Sequence, residues 1–202
     1  GNMGIVCGAP MGGLVERDPD DKYGLARELI LPLRPWFKRV GFNGPLQVTA
    51  CRHAGKWHVI EYNIRLGITS GSMILRLLAN PLETLWRAVR NRSLAPRFRD
   101  DVSFGCSMTL AGYGYPYVQI QGPSFPIEVR GTFDCDVWWN EVERTPDGRL
   151  VSAGHRFADV IAFGPDLASA VNQARANIAK ISVLGGYYRP DIGASLWPPG
   201  NI

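Results

Sequence analysis

Ten consecutive residues, His58-Val59-Ile60-Glu61-Tyr62-Asn63-Ile64-Arg65-Leu66-Gly67, constrain the fold more than any other stretch of the chain. The run is β-branched and aromatic, and polar residues alternate with apolar ones, the signature of an extended strand. Side chains of a strand point alternately to its two faces. Glu61, Asn63 and Arg65 therefore fall on one side, and Ile60, Tyr62, Ile64 and Leu66 on the other; His58 shares the parity of Ile60. An acid, an amide and a cation in a row are costly to bury without a polar partner. Two readings stay open at this point. One is a sheet with its polar face in solvent. The other is a divalent cation held against phosphates, because Glu and Asn are hard oxygen ligands and Arg pairs with phosphate oxygens.

The preceding residues fit the strand. His53-Ala54-Gly55-Lys56 is a turn, and Leu46–Arg52 alternates, so the two segments read as a hairpin. Before it, Asp20 to about Arg39 carries Leu25, Leu29, Ile30 and Leu33 at helical spacing, with Asp20 as the cap. Pro32 and Pro35 argue against its second half. After it, Ser72–Leu78 and Pro81–Asn91 read as helices, the latter with Asn80 as cap and Pro81 at the first helical position. The Gly67–Ser72 segment is small and hydroxylic. It suits an anion-binding helix start or a plain cap by Ser70 or Ser72.

From about Asp100 the pattern changes to short strands broken by Gly and Pro. Val102–Leu110, Phe125–Arg130, Asp134–Val142 and Arg156–Phe163 are the strands, and Pro146-Asp147-Gly148 is a turn. Asp166 to about Val183 reads as a helix ended by Gly185-Gly186. The expected class is α+β, with one domain over 1–98 and a small α+β domain over 99–202.

Composition narrows the function classes. Of 202 residues, 46% are hydrophobic and 20% charged, which describes a folded rather than a disordered chain. The formal charge of +4 suits an anionic small molecule, and the scattered Lys and Arg residues do not make a nucleic-acid surface. The Arg87–Arg99 stretch has only Trp86 and Phe98 among its arginines, too few aromatics for a base-stacking platform. Cys7, Cys51, Cys106 and Cys135 form no CxxC pair, so reduced cysteines in a cytoplasmic protein are expected. No apolar run reaches about 18 residues, so no membrane partner is expected. No histidine pairs in sequence with a nucleophile.

In their order, these pieces resemble the carboxy-terminal half of the phosphoribosylamine–glycine ligase family, ATP-grasp enzymes of purine biosynthesis. The family's Gly-Gly-Met-Gly loop is similar to Gly1-Asn2-Met3-Gly4. Its strand Val-Ile-Glu-Phe-Asn-x-Arg-Phe-Gly is similar to Val59–Gly67. A strand ending in Ala-Gly-Gly-Tyr-Pro resembles Leu110–Pro116, and a closing segment resembles Tyr188–Gly193. The chain departs from the family just after Gly67, where Ile68-Thr69-Ser70 stands in place of Asp-Pro-Glu. It departs again at Val137–Asn140, and it echoes a Gly-Gly-Arg-Val element only at Ala153-Gly154-His155-Arg156.

The resemblance implies the carboxy-terminal half of an ATP-grasp module, an antiparallel sheet with helices, followed by a small domain. It implies ATP and Mg2+ (or Mn2+) as cofactors, Glu61 and Asn63 as metal ligands, and Arg65 as the catalytic cation. It places Gly1, Asn2, Met3 and Gly4 beside the nucleotide, and Arg189 and Asp191 in a closing segment. The implied partners are an amino acid, a phosphorylated amine and an amino-terminal portion of the same protein, which makes this chain a fragment. The departures leave two alternatives: a ligase for another acid and amine, or a non-catalytic module that keeps the fold.

Overall fold

Helices and antiparallel strands make up the chain in a computed structural model, which describes residues 11–117 and 122–194. Gly1, Asn2, Met3 and Gly4, expected beside a nucleotide, lie outside the described residues. Contacts divide the chain into two units, one formed by Arg17–Arg99 and the other by the residues before and after it. The first strand, β1 (Gly12–Glu16), belongs to the latter. The sequence division counted it with residues 1–98. Five antiparallel partners, from Met108 to Phe104, bind it to the later sheet.

The Arg17–Arg99 unit begins with a broken helix rather than the single one expected over Asp20–Arg39. A π-helical turn at Ala26–Ile30 runs into a 3-10 turn at Leu31–Leu33, then α1 (Arg34–Arg39). Pro32 and Pro35 lack the N–H that a continuous helix needs, and this accounts for the break. The cap is Asp21, not Asp20. Its carboxylate accepts from the N–H groups of Ala26 (3.0 Å) and Arg27 (2.9 Å), and these bonds hold its pKa below the usual value.

The hairpin forms as expected from β2 (Gln47–His53) and β3 (Lys56–Asn63). Its turn has positive φ at both Ala54 (47°) and Gly55 (77°), the twist that matches paired strands. One face of the hairpin meets the broken helix: Trp57 Nε1 donates to Tyr23 O (3.0 Å) and Tyr62 OH to Leu29 O (2.9 Å). Helices α2 (Ile68–Leu77) and α3 (Pro81–Val89) follow. Gly67, not Ser70 or Ser72, precedes α2. Asn80 stands at the cap position of α3 with Pro81 first in the helix, as expected, but its side chain makes no cap bond.

The other unit holds the core. Strand β4 (Phe104–Ala111) is followed by β5 (Pro126–Val129), β6 (Asp136–Trp139), β7 (Val142–Arg144), β8 (Leu150–Ser152) and β9 (Arg156–Gly164). Helix α4 (Leu167–Ile178) and β10 (Ile181–Val183) complete it. The sheets run β1-β4-β9-β6 and β10-β5-β8-β7, with every pair antiparallel. The helix expected to reach Val183 stops at Ile178, because Ile181–Val183 pairs with Val129–Ile127. Cross-strand pairs Cys106/Ala162, Met108/Val160 and Leu110/Ala158 present one apolar face. Ala170, Val171, Ala174 and Ile178 of α4 join them in a buried cluster. The Cys106 thiol is buried there and pushed up to about 12. Cys51, Cys106 and Cys135 are all free. Among the described residues no helix is long and apolar enough to cross a membrane.

Asp166 caps α4, accepting from the N–H (2.8 Å) and the hydroxyl (2.8 Å) of Ser169. The Ser169 N–H is the main cause that lowers its pKa from the ordinary 3.8. The folded value is below the unfolded one, so the cap stabilises the fold fully above the unfolded value. That contribution fades as pH falls through the folded value. Asp166→Ala is expected to lower the urea midpoint at pH 7 more than Asp166→Asn does. The Asp166→Ala difference from wild type should shrink below about pH 3.8. Equal midpoints for wild type and Asp166→Ala at pH 7 would exclude the cap.

Candidate functional site

The polar row of the hairpin is present, with two changes. Strand β3 ends at Asn63, so Arg65 lies beyond the strand rather than on its face. The register also shifts: Cys51 faces His58 and Ala50 faces Val59, but Thr49 faces Glu61. Ile60 is the extra residue of a bulge. Residues opposite each other share a face, and a one-residue bulge reverses the parity on one side of it. His58 therefore leaves the face of Ile60 and joins Glu61 and Asn63, with Thr49 and Gln47 opposite them. The His53 and His58 rings, 6.4 Å apart at their centroids, lie on this same face.

Glu61 and Asn63 come together as expected. Asn63 Nδ2 donates to Glu61 Oε1 at 2.8 Å. The amide therefore turns its nitrogen to the carboxylate, and its oxygen would have to rotate inward to join Glu61 on a metal. Glu61 is exposed and Asn63 half-buried, so neither ligand carries a large desolvation cost. Arg65 is exposed, and its Nη1 donates to the Leu66 carbonyl at 3.2 Å.

Behind these residues the backbone passes through a narrow place. A Cβ on Gly67 would lie 2.4 Å from both Gln47 Oε1 and Ser70 Oγ, so a side chain there would have to displace these two polar groups. Gln47 Oε1, Thr69 Oγ1 and Ser72 Oγ are buried without hydrogen-bond partners. The start of α2 thus gathers one acceptor and two hydroxyls that still have bonds to make.

Two oxygen ligands fit a magnesium ion, which takes one or two protein groups and completes its shell with water and phosphate. Among the described residues no cluster of three or more His, Cys, Asp or Glu side chains exists to hold a metal unaided.

In the other unit, two motifs that are far apart in sequence converge on one cavity of about 1150 Å3. Gly112, Tyr113, Tyr115 and Pro116 line one part, and Ala153, Gly154 and His155 another. Glu141 shapes the second motif, since its Oε2 accepts from the N–H groups of His155 and Arg156. Behind Tyr115 lies a buried network. Arg156 Nη2 donates to Asp159 Oδ1 (2.7 Å), and Arg156 Nη1 to the Tyr115 hydroxyl (3.2 Å). Thr109 Oγ1 also donates to Asp159 Oδ1, and Asn140 Nδ2 to Asp159 Oδ2 (3.0 Å). Burial opposes the Arg156 charge, but Asp159 and these bonds outweigh it and raise the Arg156 pKa above its ordinary value. Arg189 and Asp191 form a bidentate pair at 3.0 and 2.6 Å.

Residues 105–195 match the profile described as Phosphoribosylglycinamide synthetase, C domain. The phosphoribosylamine–glycine ligase of Mycobacterium leprae is 33% identical over 159 residues, covering 76% of this chain and 36% of the relative. The solved phosphoribosylamine–glycine ligase of Thermotoga maritima superposes with a TM-score of 0.70 at 25% identity, over 90% of this chain and 46% of that one. Biotin carboxylase of Campylobacter jejuni, 12% identical, shares the fold with a TM-score of 0.51, over 79% of this chain and 36% of that one. The chain spans less than half the length of these proteins. By sequence and by fold, it is a relative of the phosphoribosylamine–glycine ligases and corresponds to the carboxy-terminal region of that ATP-grasp family.

Proposed function

We propose that this chain is the carboxy-terminal part of an ATP-dependent ligase that joins an amino-acid carboxylate to an amine. The observation that carries the reading is the contact of Glu61 and Asn63 on one face of the hairpin, with Arg65 just beyond the strand. The boundary near residue 98 then separates an ATP-grasp part from a small α+β domain, whose sheet includes β1. The remainder of the nucleotide site comes from an amino-terminal portion, and the protein works in the cytoplasm.

In the proposed reaction the γ-phosphoryl of ATP passes to the carboxylate, giving an acyl phosphate and ADP. The amine then attacks the acyl carbon, phosphate leaves, and an amide remains. Bound Mg2+ or Mn2+ supplies charge neutralisation of the ATP phosphates. Glu61 and Asn63 offer the oxygens to hold it. Arg65 faces the charge that develops on the transferring phosphoryl group, and its preorganised guanidinium is worth most where water is excluded. The start of α2 just after Gly67 offers backbone N–H groups to an anion.

The chain joined to an amino-terminal portion of the family tests this. Glu61→Ala and Asn63→Ala are each expected to lower metal-dependent ADP formation on the order of 10²-fold. Unaltered ADP formation in both variants sinks the assignment. The expected acid and amine are glycine and phosphoribosylamine. Ile68-Thr69-Ser70 favours a second reading with another pair, since Ile68 and Ser70 stand where the family has two acids. A substrate panel scored by ADP release separates the two.

A further inference from the structure

The cavity of about 1150 Å3 lies wholly among the residues before and after Arg17–Arg99, and the proposed reaction makes no use of it. Its volume is ample for a small ligand. Four aromatic rings line it: Tyr113 and Tyr115 after β4, Phe125 before β5 and Phe157 in β9. Beyond the phenols, its titratable lining is one carboxylate, Glu141, and one imidazole, His155, with no Lys or Arg among the described residues. In a chain of formal charge +4, that omission sets the cavity apart from the rest of the surface. A phosphate would find no guanidinium or ammonium to meet it. The phosphorylated amine of the proposed reaction therefore does not fit here.

The carboxylate is fixed in place. Glu141 Oε2 accepts from the N–H of Arg156 (2.9 Å) and from that of His155. The Glu141 N–H donates to Arg156 O (2.9 Å), and its carbonyl accepts from Ala153 N (2.9 Å). A Cβ on Gly154 would collide with the same Oε2, so the missing side chain makes room for the carboxylate. Both bonds to Oε2 come from neutral backbone N–H groups and leave its charge in place. The rings are held as well. Tyr115 is tied at two points: its hydroxyl accepts from Arg156 Nη1 (3.2 Å) and its carbonyl from the Tyr187 hydroxyl (2.7 Å). The charge of Arg156 is matched behind the ring by Asp159 at 2.7 Å. Phe157 is 3% exposed, and a Cβ on Gly112 would lie 2.7 Å from its Cζ, so glycine lets the backbone pass close over this ring.

We infer that this cavity is a binding site for an organic ammonium ion, with Glu141 as its countercharge and the rings of Tyr113, Tyr115, Phe125 and Phe157 as its wall. The faces of aromatic rings carry negative potential and attract such cations, more strongly once the cation leaves water. A neutral ligand of the same shape gains the apolar contact but not the charge pairing. No residue of the Glu61–Asn63 site takes part, so the ammonium site stands whether or not the proposed function holds.

The test titrates the 202-residue chain with choline, a quaternary ammonium probe, and with the neutral alcohol of the same shape in which carbon replaces nitrogen. Calorimetry follows both. Wild type is expected to bind choline roughly 10-fold more tightly than the alcohol. Glu141→Gln keeps an oxygen for the two N–H groups and removes the charge, and circular dichroism checks that it is folded. It should weaken choline roughly 10-fold and leave the alcohol unchanged. Tyr113→Ala removes a ring that is 79% exposed, at no cost to the core, and should weaken both probes. Glu61→Ala should alter neither. The inference is overturned if wild type does not bind choline, if the alcohol binds as tightly as choline, or if Glu141→Gln binds choline as wild type does. Binding of inorganic phosphate that Glu141→Gln strengthens would overturn it equally, since the cavity would then take anions.

Discussion

Asp159→Ala is expected to destabilise the fold by about 3–5 kcal/mol, the cost of leaving a buried charge unpaired. The side chains of Arg156 and Asp159 are only 8% and 6% exposed. Asp159 sits in the middle of β9, where its Oδ1 takes Arg156 and Thr109 and its Oδ2 takes Asn140. Removing the carboxylate strands the guanidinium and frees two further polar groups, and water has poor access to any of them. The double variant Arg156→Met/Asp159→Leu removes both charges and should recover most of the loss, because it is the orphaned partner that costs most. Urea unfolding at pH 7 measures both. A loss below about 1 kcal/mol for Asp159→Ala would mean that water reaches the pair. The same variants probe the cavity wall, since Arg156 holds the hydroxyl of Tyr115.

This network shows where the sequence was legible and where it was not. Arg156–Phe163 reads correctly as a strand from its apolar run, and an Asp within it signals a need for a partner. The partners come from β4 and from the residue after β6, across separations that no local pattern records. The hairpin is legible for the opposite reason. Its turn residues and alternation are local, and they fix β2 to within one residue and β3 to within two. The bulge is not legible, because Val59 and Ile60 suit either face and the alternation reads the same with or without the extra residue. That single backbone irregularity decides whether His58 stands with Ile60 or with Glu61. For α3 the periodicity separates an apolar side from a polar one, but only the Asn80, Arg87 and Ser93 bonds show which side faces inward. The Ile181–Val183 strand was absorbed into a helix because its three residues are too few to set a period.

Under the proposed function, Arg65→Met is expected to lower the rate of ADP formation by on the order of 10²–10³, with metal affinity unchanged. Arg65 lies two residues past Asn63, beyond the end of β3, where its backbone is freed from the strand's alternation. A guanidinium there does not compete with Glu61 and Asn63 for the same face. Its Nη1 bond to the Leu66 carbonyl restrains the group without neutralising it. It can then meet negative charge on a phosphoryl group that a metal on Glu61 and Asn63 would hold. Lysine carries the charge but not the planar fork, so Arg65→Lys should recover only part of the rate. The variants separate the roles: Glu61→Ala should shift the metal concentration needed for half-maximal rate, whereas Arg65→Met should lower the rate at saturating metal. If Arg65→Met instead shifts the metal requirement and leaves the saturating rate intact, Arg65 serves to assemble the site rather than to stabilise the transferring group.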